Sequence, residues 1–384
     1  MDWRVPLADL DYGQDEETAV VKVLRSKWLT MGEVTQNFEE QFRQMVGAKH
    51  ALAVSNATEA LHVACLSLGI GPGDEVITPS LSFVATSNSV LYTGADVRFA
   101  DVIGQDELTI DPEDIARKVT ERTKAIIVMH YGGYPCRMRD ILAIAKRYNL
   151  SVIEDAAHAP GASLDGTALG TWGSIGCFSF FSNKNLSTGE GGMLVTNQDD
   201  LAQKFHVMRS HGMTSLTYDR HKGHAYSYDV VDLGYNYRID EIRSALGIEQ
   251  LKKLASNNAR RKTLTERYWH LLDGTKVGLP FRGKVGSPSY HIFPMLLPSA
   301  IDRKTFIDRL RAEGIQTSIH YPPTHSFSYY KSRYGEISLP KTDDISGRQV
   351  TLPLYPGMGE EKVDYVADAV IRTIGSLLNK KREK

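Results

Sequence analysis

The stretch "ALAVSNATEALHVACLSLGIGPGDEVITP", residues 51–79, decides the fold class. "ALAV" predicts a strand, "ATEALHVACLSL" predicts a helix, and "EVITP" predicts a second strand. The alternation continues through helical "FVATSNSVLYTG", strands "DVRFA" and "AIIVMH", helical "RMRDILAIAKRYN" and strand "SVIED". Apolar strands separated by helices indicate βαβ units in a mostly parallel sheet that is covered on both faces. Right-handed crossovers then place the carboxyl ends of the strands along one edge, where ligands usually bind.

Outside this region the pattern predicts two further groups of elements. Two amphipathic helices precede it, and the second stops at Gly47. From about Lys252 a long polar helix leads to "YHIFPMLLP", helical "RKTFIDRLRAEG", a strand "IQTSIHY" and a closing helix. We therefore expect a large α/β domain with the N-terminal helices over residues 1–251, and a small α+β domain over residues 252–384.

The composition excludes several classes of partner. The chain has 384 residues and a formal net charge of −1, which gives no reason to expect nucleic acid or an anionic membrane as a partner. Its apolar runs are too short to span a bilayer, and its acidic N-terminus lacks an apolar signal region. Cys65, Cys136 and Cys177 have no C-x-x-C spacing, which argues against a metal site or a disulfide framework. We expect a cytoplasmic protein.

Two segments could bind phosphate, and their order in the chain separates them. "GIGPGDEV" follows a helix and precedes a strand, whereas a dinucleotide fingerprint needs the opposite order, and no Walker A motif occurs. A Rossmann oxidoreductase is therefore not favoured. Ser55, Asn56 and Thr58 lie between a strand and its helix, where free backbone N–H groups and the helix dipole favour an anion. Ordinary helix capping explains Ser55 and Asn56 equally well.

A carboxylate lies where the strand "SVIED" ends. Asp155 is at the carboxyl end of this apolar strand, at the edge where open sheets bind ligands, and its charge there needs a partner. Glu154 is expected to point to the opposite face, because side chains alternate along a strand. His158, three residues after Asp155, is either a supporting partner of the site or a core histidine.

One lysine lies between a strand and a glycine cluster. Lys184 in "FSFFSNKNLSTGEGGML", residues 178–194, follows an aromatic strand-like run, and a solvated turn is the bland interpretation. A helix end suited to phosphate, an edge carboxylate, an aromatic segment with Phe83 and this lysine together match the needs of pyridoxal phosphate. Desolvation near a cationic ring would lower the pKa of the lysine, so that its neutral amine can act as nucleophile and base.

The whole chain resembles the DegT/StrS family of nucleotide-sugar aminotransferases, which have the type I (aspartate aminotransferase) fold of pyridoxal-phosphate enzymes. The resemblance rests on stretches in family order over nearly 350 residues: "WLTMG", "SNATEALHVA", "GIGPGDEVITPSLSFVATSNSVLYTGA", "TKAIIVMHYGG", "VIEDAAHAPGA", "FSFFSNKNLSTGEGGM", "RSHGM", "LGYNYRIDEIRSALGIEQL" and "HYPPTH". It implies transfer of an amino group from L-glutamate to a nucleotide-linked keto-sugar.

The resemblance also implies roles around the cofactor ring. Lys184 would form the Schiff base and then carry the proton, and Asp155 would keep the pyridine nitrogen protonated. Phe83 would stack on the ring. His158 would pack near the opposite side of the ring or near its hydroxyl.

Further implied roles concern the phosphate and the substrate. Ala57, Thr58 and Ser179 would bind the cofactor phosphate. Asn236 in "GYNYR" would reach the phosphate of the cofactor bound by a neighbouring subunit, which implies a homodimer with shared active sites. Cationic or donor groups are needed for the diphosphate of the substrate, and we choose Arg238 and His325 for this, each of which could instead be a surface or interface residue.

The segment around Lys184 also bears on the reaction. Family members that act as dehydratases carry histidine at this position, so the lysine favours transamination. Ser182 and Asn183 replace the Pro-Thr of many members, which is similar to the perosamine-synthase branch and favours a 4-keto-6-deoxyhexose. Amination at C3 of a 3-keto sugar is the alternative.

Two other classes of protein are alternatives to the sugar-aminotransferase hypothesis. A lyase or desulfurase of the same fold is the rival enzyme, but a desulfurase needs a mobile cysteine, and all three cysteines fall in or beside predicted helices and strands. A regulator that binds without turnover usually adds a DNA-binding module, for which we expect no room in 384 residues.

Overall fold

The computed structural model describes residues 3–214, 227–283 and 286–382. Its helices are α1 Gln14–Ser26, α2 Glu33–Val46, α3 Ala57–Ser67, α4 Ala85–Leu91, α5 Pro112–Lys118, α6 Met138–Tyr148, α7 Asp199–Arg209, α8 Glu241–Leu271, α9 Arg303–Ala312, α10 Ser328–Tyr334, α11 Pro340–Arg348 and α12 Glu360–Arg382. Its strands are β1 His50–Val54, β2 Glu75–Pro79, β3 Asp96–Ala100, β4 Val102–Gly104, β5 Glu107–Ile110, β6 Thr123–Met129, β7 Ser151–Asp155, β8 Ser163–Leu164, β9 Thr167–Ala168, β10 Ile175–Ser179, β11 Gly192–Thr196, β12 Phe293–Leu296 and β13 Gln349–Leu352.

A seven-stranded sheet forms the centre of the fold, in the order β1-β11-β10-β7-β6-β2-β3. All neighbouring pairs are parallel except those of β11, which runs antiparallel to both β1 and β10. Separate clusters of buried apolar side chains cover the two faces of the sheet. The predicted α/β class with a mostly parallel sheet is therefore confirmed.

The N-terminal helices support the strand that leads to Lys184. Helix α2 ends at Gly47, whose φ of 69° lies in the left-handed region that favours glycine. Phe42 of α2 packs against Phe178 of β10, with ring centroids 4.9 Å apart. Phe38 packs against Phe180 at 5.3 Å. These contacts fix the aromatic run beneath the loop that carries the lysine.

The C-terminal part of the chain builds a separate apolar core. Strands β12 and β13 pair antiparallel, and α9 and α12 contribute to the same cluster, which also includes Val5 from the other end of the chain. Helix α8 runs without a break through residues 251 and 252, so the proposed division at this point falls inside a helix and stays a prediction. No helix among the residues described is long and apolar enough to cross a membrane.

The predicted strand "IQTSIHY" is wrong. Within residues 315–321 the backbone makes two isolated bridges to other described residues, from Ile315 to Val5 and from Ser318 to Thr351, and no more extended pairing with any of them. Between and after these points the chain leaves its neighbours, and residues 318–321 form one wall of a cavity. The segment has the alternating pattern of a strand but lacks a continuous pairing partner.

Candidate active site

A cavity of about 940 Å³ opens at the carboxyl ends of the central strands. We call it the central cavity. Seven of the residues predicted from the sequence line it, namely Ala57, Thr58, Phe83, Asp155, His158, Ser179 and Lys184. Three other predicted residues, Asn236, Arg238 and His325, are not among its lining residues. The edge of the sheet at which ligands were expected is therefore also the edge at which the cavity lies.

One end of the cavity is suited to an anion. Helix α3 begins there. The side-chain oxygen of its N-cap residue, Asn56, accepts a hydrogen bond of 2.9 Å from the Glu59 N–H. Ser179 lies beside Gly192 in the neighbouring strand. A Cβ at Gly192 would stand 2.8 Å from the Ala57 nitrogen, so only glycine lets the strand approach the start of the helix so closely. The backbone N–H groups at the start of α3 and the hydroxyls of Thr58 and Ser179 are donors of the kind that a phosphate group needs.

The carboxylate of Asp155 faces the cavity with an incomplete set of donors. The Thr86 hydroxyl donates to its Oδ2 at 2.6 Å, and the Ala157 N–H donates to its Oδ1 at 3.2 Å. Ser82 bonds the Thr86 hydroxyl at 2.6 Å. Burial raises the pKa of Asp155, although the bond from Thr86 acts in the opposite direction. A cationic partner in the cavity would favour the charged form of this group.

The adjacent Glu154 lies on the opposite face, as the alternation predicts. Its carboxylate is buried and accepts hydrogen bonds from the backbone N–H groups of Gly170, Trp172 and Gly173 at 2.6–2.7 Å. His130 adds a fourth partner, with its Nε2 2.9 Å from Glu154 Oε2. This carboxylate therefore belongs to the scaffold that holds the loop after β9.

Lys184 extends into the cavity from the loop after β10. Its side chain is half-buried, and its backbone N–H donates to the Phe181 carbonyl at 2.8 Å. Removal from water lowers the pKa of the Lys184 amine to about 8, while the charge of Asp155 acts against this shift. A substantial fraction of the amine is therefore neutral near pH 8, the form required of a nucleophile or base.

The residue after the lysine is fixed by a buried polar network. The Asn185 amide group donates to Asn258 Oδ1 and to the Ser289 carbonyl, both at 2.7 Å. Its oxygen lies 2.9 Å from Nδ1 of His291. Asn258 belongs to α8 and the other two partners lie after it, so these contacts tie the lysine loop to the C-terminal half of the chain.

An aromatic wall completes the cavity. The Phe83 side chain is 56% exposed, although it is large and apolar, because it faces the open cavity. Its ring centroid lies 5.9 Å from that of Tyr321. His320, next in the chain, bonds Thr351 through Nδ1 at 2.9 Å, and burial lowers the pKa of His320 to about 4. The wall thus offers flat apolar surface and uncharged polar groups.

Some cavity residues were missed by the sequence reasoning. Arg243 in the first turn of α8 lines the cavity and pairs with Asp240 at 3.2 Å. It lies inside the quoted stretch "LGYNYRIDEIRSALGIEQL", but nothing in the local pattern separates it from a surface arginine. Tyr321 lies inside "HYPPTH", the segment in which the sequence analysis predicts His325 as the substrate contact. Thr86, which does not line the cavity but donates to Asp155, carries no signal beyond its position in a helix near an aromatic residue.

The three residues outside the cavity have different surroundings. His325 is buried, with Nδ1 2.7 Å from the Ser80 hydroxyl and Nε2 3.1 Å from Asp343. Arg238 is half-buried. Asn236 is exposed, although the tyrosines on either side of it stack on each other, with centroids 4.9 Å apart. The Asn236 side chain is thus exposed between two packed tyrosines.

The cavity fits a cofactor that carries a phosphate, a basic ring nitrogen and a carbonyl group that can react with an amine. These features define the cofactor of the pyridoxal-phosphate enzymes. The chain belongs to the DegT/DnrJ/EryC1/StrS aminotransferase family, whose model matches residues 11–371. It is a pyridoxal-phosphate-dependent aminotransferase, and proteins of similar structure are sugar aminotransferases.

Individual relatives match over nearly their whole lengths. The spore coat polysaccharide biosynthesis protein SpsC of Bacillus subtilis is 39% identical over 367 residues, covering 93% of this chain and 94% of SpsC. PseC of Helicobacter pylori, an aminotransferase of pseudoaminic acid biosynthesis, has a TM-score of 0.90 at 30% identity, covering 97% of this chain and 99% of PseC. Spr1654 of Streptococcus pneumoniae, solved in its PLP form, has a TM-score of 0.90 at 26% identity, with coverage of 97% and 99%.

Proposed function

We propose that this enzyme transfers the amino group of L-glutamate to a nucleotide-linked keto-sugar, and that this sugar is a 4-keto-6-deoxyhexose. The observation that carries the proposal is the pairing of Lys184, with its pKa of about 8, and Asp155 within one cavity. The residues Ser182 and Asn183 before the lysine support the 4-keto assignment through their similarity to the perosamine-synthase branch. Relatives named for spore coat polysaccharide and pseudoaminic acid biosynthesis support a sugar substrate.

The residues of the chain divide the work around the cofactor. Bound pyridoxal phosphate supplies an electron sink for the carbon that loses its proton. Asp155, desolvated and short of donors, holds a proton on the ring nitrogen. Lys184 takes and returns the proton at its Nζ, since its amine is partly neutral near pH 8. Phe83 presents a flat face to the ring.

The phosphate is held at the start of α3. Backbone N–H groups of Ala57 and Thr58 and the hydroxyls of Thr58 and Ser179 are the proposed donors, where the helix dipole also favours an anion.

For the diphosphate of the sugar nucleotide, Arg243 joins Arg238 as a candidate. Arg243 lines the cavity, and its planar guanidinium suits phosphate oxygens. We expect Arg243→Ala to raise the KM for the sugar nucleotide about tenfold, the loss of one charge-assisted contact. Arg238→Ala tests, in the same assay, the prediction that Arg238 binds the diphosphate. An unchanged KM in either variant removes that arginine from the substrate site.

We also propose that the active enzyme is a homodimer with shared sites. The exposed Asn236 lies outside the cavity of its own chain, which supports a contact with the cofactor phosphate of a neighbour. Lys184→Ala and Asn236→Asp, each inactive alone, should then restore activity when co-refolded, because one site of the mixed dimer carries neither lesion. Absence of recovery in verified mixed dimers contradicts the shared site.

An amination screen tests the reaction itself. The enzyme, loaded with pyridoxal phosphate, is incubated with glutamate and a panel of nucleotide-linked 4-keto and 3-keto sugars, and products are read by mass spectrometry. We expect an amino sugar from a 4-keto substrate and none with Lys184→Ala. Borohydride reduction and peptide mapping should place the pyridoxyl group on Lys184. Failure of every keto-sugar together with turnover of an amino acid alone would support a lyase instead.

A further inference from the structure

The buried imidazole of His158 is held in one tautomer by its surroundings. The backbone N–H of Gly132 points at Nδ1 of His158 over 3.2 Å. A backbone N–H can only donate, so this nitrogen carries a lone pair and no hydrogen. The other ring nitrogen, Nε2, lies 2.8 Å from the hydroxyl oxygen of Tyr321. The ring is neutral as well, because burial and then the charge of Lys184 lower the pKa of His158 well below its usual value.

The tautomer of His158 fixes the direction of the next hydrogen bond. A neutral ring with no hydrogen on Nδ1 carries its hydrogen on Nε2, so Nε2 donates and the Tyr321 oxygen accepts. The phenolic hydrogen of Tyr321 must then point elsewhere. Tyr321 lines the central cavity, and burial raises the pKa of its phenol, so the hydrogen is retained. The free direction for this donor is into the cavity.

The backbone on which Tyr321 sits is restrained on several sides. The hydroxyl of Tyr131 donates to the carbonyl oxygen of His320, and the N–H of His320 donates to Gln349 Oε1 at 3.0 Å. The Tyr321 ring also lies 5.9 Å from both Phe83 and His158, measured between centroids. A donor held this way is oriented before any ligand arrives.

We propose that Tyr321 donates a hydrogen bond to an oxygen beside the reacting carbon, and that His158 is the positioning residue that sets the direction of this bond. The acceptor is the phenolic oxygen of the cofactor ring or the keto oxygen of the sugar. The proposal rests on the proposed function. It also refines the role expected for His158, since both of its ring nitrogens are already engaged within the protein.

The tautomer can be measured without turnover. Nitrogen-15 NMR of histidine-labelled enzyme, free and loaded with pyridoxal phosphate, distinguishes a protonated ring nitrogen from an unprotonated one. His158→Gln assigns the signal by its loss. We expect a neutral ring with the hydrogen on Nε2 in both forms between pH 6 and 9. A hydrogen on Nδ1, or an imidazolium, overturns the proposal even if the enzyme is an active aminotransferase.

Removal of the hydroxyl tests the donor. Tyr321→Phe keeps the ring, and its matched control is Tyr268→Phe, whose buried hydroxyl donates to the Pro353 carbonyl away from the cavity. We expect a ten- to hundredfold loss of activity in Tyr321→Phe and none in the control, which is the effect of removing a hydrogen bond to a charged or developing oxyanion. Thermal unfolding of both variants shows whether the hydroxyl merely stabilises the fold.

The pattern of the loss identifies the acceptor. A shift in the pH dependence of the cofactor absorbance, with both half-reactions slowed, places the acceptor on the cofactor ring. An unchanged absorbance titration, with only the sugar half-reaction slowed, places it on the sugar. His158→Gln, which keeps a donor near the Nε2 position, should retain most activity, whereas His158→Leu should behave like Tyr321→Phe. If Tyr321→Phe catalyses both half-reactions at wild-type rates, the proposal is overturned. A wild-type enzyme that does not bind pyridoxal phosphate would instead overturn the proposed function.

Discussion

Glu154 and Asp155 are neighbours in β7, and both carboxylates are buried, yet the two faces of the sheet treat them differently. Among the described residues, Glu154 has four partners, three of them backbone N–H groups. Within the same part of the chain, Asp155 accepts from one hydroxyl and one backbone N–H, and it faces the cavity. A buried carboxylate with its donors complete stabilises the fold, whereas one with few donors retains binding capacity for a ligand. Chain position alone therefore does not distinguish scaffold from site, but the number of donors does.

The largest expected effect follows from replacing the carboxylate on the cavity side. Asp155→Asn should bind pyridoxal phosphate but lose activity about 100- to 1,000-fold, since an amide cannot favour the proton on the ring nitrogen. Single-turnover absorbance changes with glutamate measure the loss. Near-wild-type rates would show that the two faces do not differ in function.

The same substitution should not weaken the cofactor-free fold. The pKa of Asp155 is raised in the folded state, so the folded chain binds more protons than the unfolded chain between the two pKa values. Stability therefore falls as pH rises through that window, and the amide lacks this penalty. We expect Asp155→Asn without cofactor to be at least as stable as the wild type at pH 7 in urea unfolding.

Replacing the carboxylate on the scaffold side should have the opposite outcome. Glu154→Gln presents an amide group to the N–H donors around it and should lower the free energy of unfolding by about 3 kcal/mol. The activity of the folded fraction should be retained. Glu113→Gln, whose parent side chain is 86% exposed, is the control and should change stability little. Loss of activity without loss of stability in Glu154→Gln would refute the comparison.

The reactivity of the lysine sharpens the comparison further. With the pKa of Lys184 at about 8, its acylation rate in cofactor-free enzyme should rise about tenfold between pH 7 and 9 and then level off. Exposed Lys304 donates a hydrogen bond to Asp308, which raises the pKa of Lys304, so its reactivity should continue to increase above that range. Asp155→Asn should move the midpoint for Lys184 downward, because the aspartate charge holds it up. Peptide mapping over a pH series gives both curves, and a midpoint near 10 contradicts them.

The smallest effect is expected from a single donor to Asp155. Thr86→Val removes the 2.6 Å bond to Oδ2 while keeping the shape of the side chain, and Thr86→Ser keeps the hydroxyl. We expect the valine variant to lose about five- to tenfold in kcat, which corresponds to about 1–1.4 kcal/mol, the value of one hydrogen bond. Equal rates for the valine and serine variants would show that this donor does not orient the carboxylate.

Local patterns predicted the central sheet well because each strand is an apolar run bounded by polar turns. The predicted "EVITP", "DVRFA" and "SVIED" coincide with β2, β3 and β7. The order of the strands and the antiparallel course of β11 depend on contacts between distant segments, which a local pattern does not contain. The false strand at residues 315–321 has the same cause, since a strand exists only where a partner continues beside it.

The same limit separates the two kinds of cavity residue. Asp155 and Lys184 stand out because each is a charged residue at or just after the end of an apolar strand, at the edge of the sheet where ligands usually bind. Arg243 and Tyr321, which line the cavity, and Thr86, which donates to Asp155, are ordinary in their local context, and only the folded chain brings them to the site. Within "HYPPTH" the sequence offers both Tyr321 and His325, and their different surroundings arise from the turn between them.

The wall formed by residues 318–321 has a consequence for when the enzyme can acquire its cofactor in the cell. A ribosome adds about 5–20 residues per second, so Tyr321 emerges about 7 to 30 seconds after Lys184, roughly 140 residues earlier in the chain. During this interval the lysine loop also lacks the Asn258, Ser289 and His291 contacts that fix Asn185. Capture of pyridoxal phosphate therefore follows synthesis of most of the chain, and a ribosome-bound fragment ending before residue 289 should not retain it.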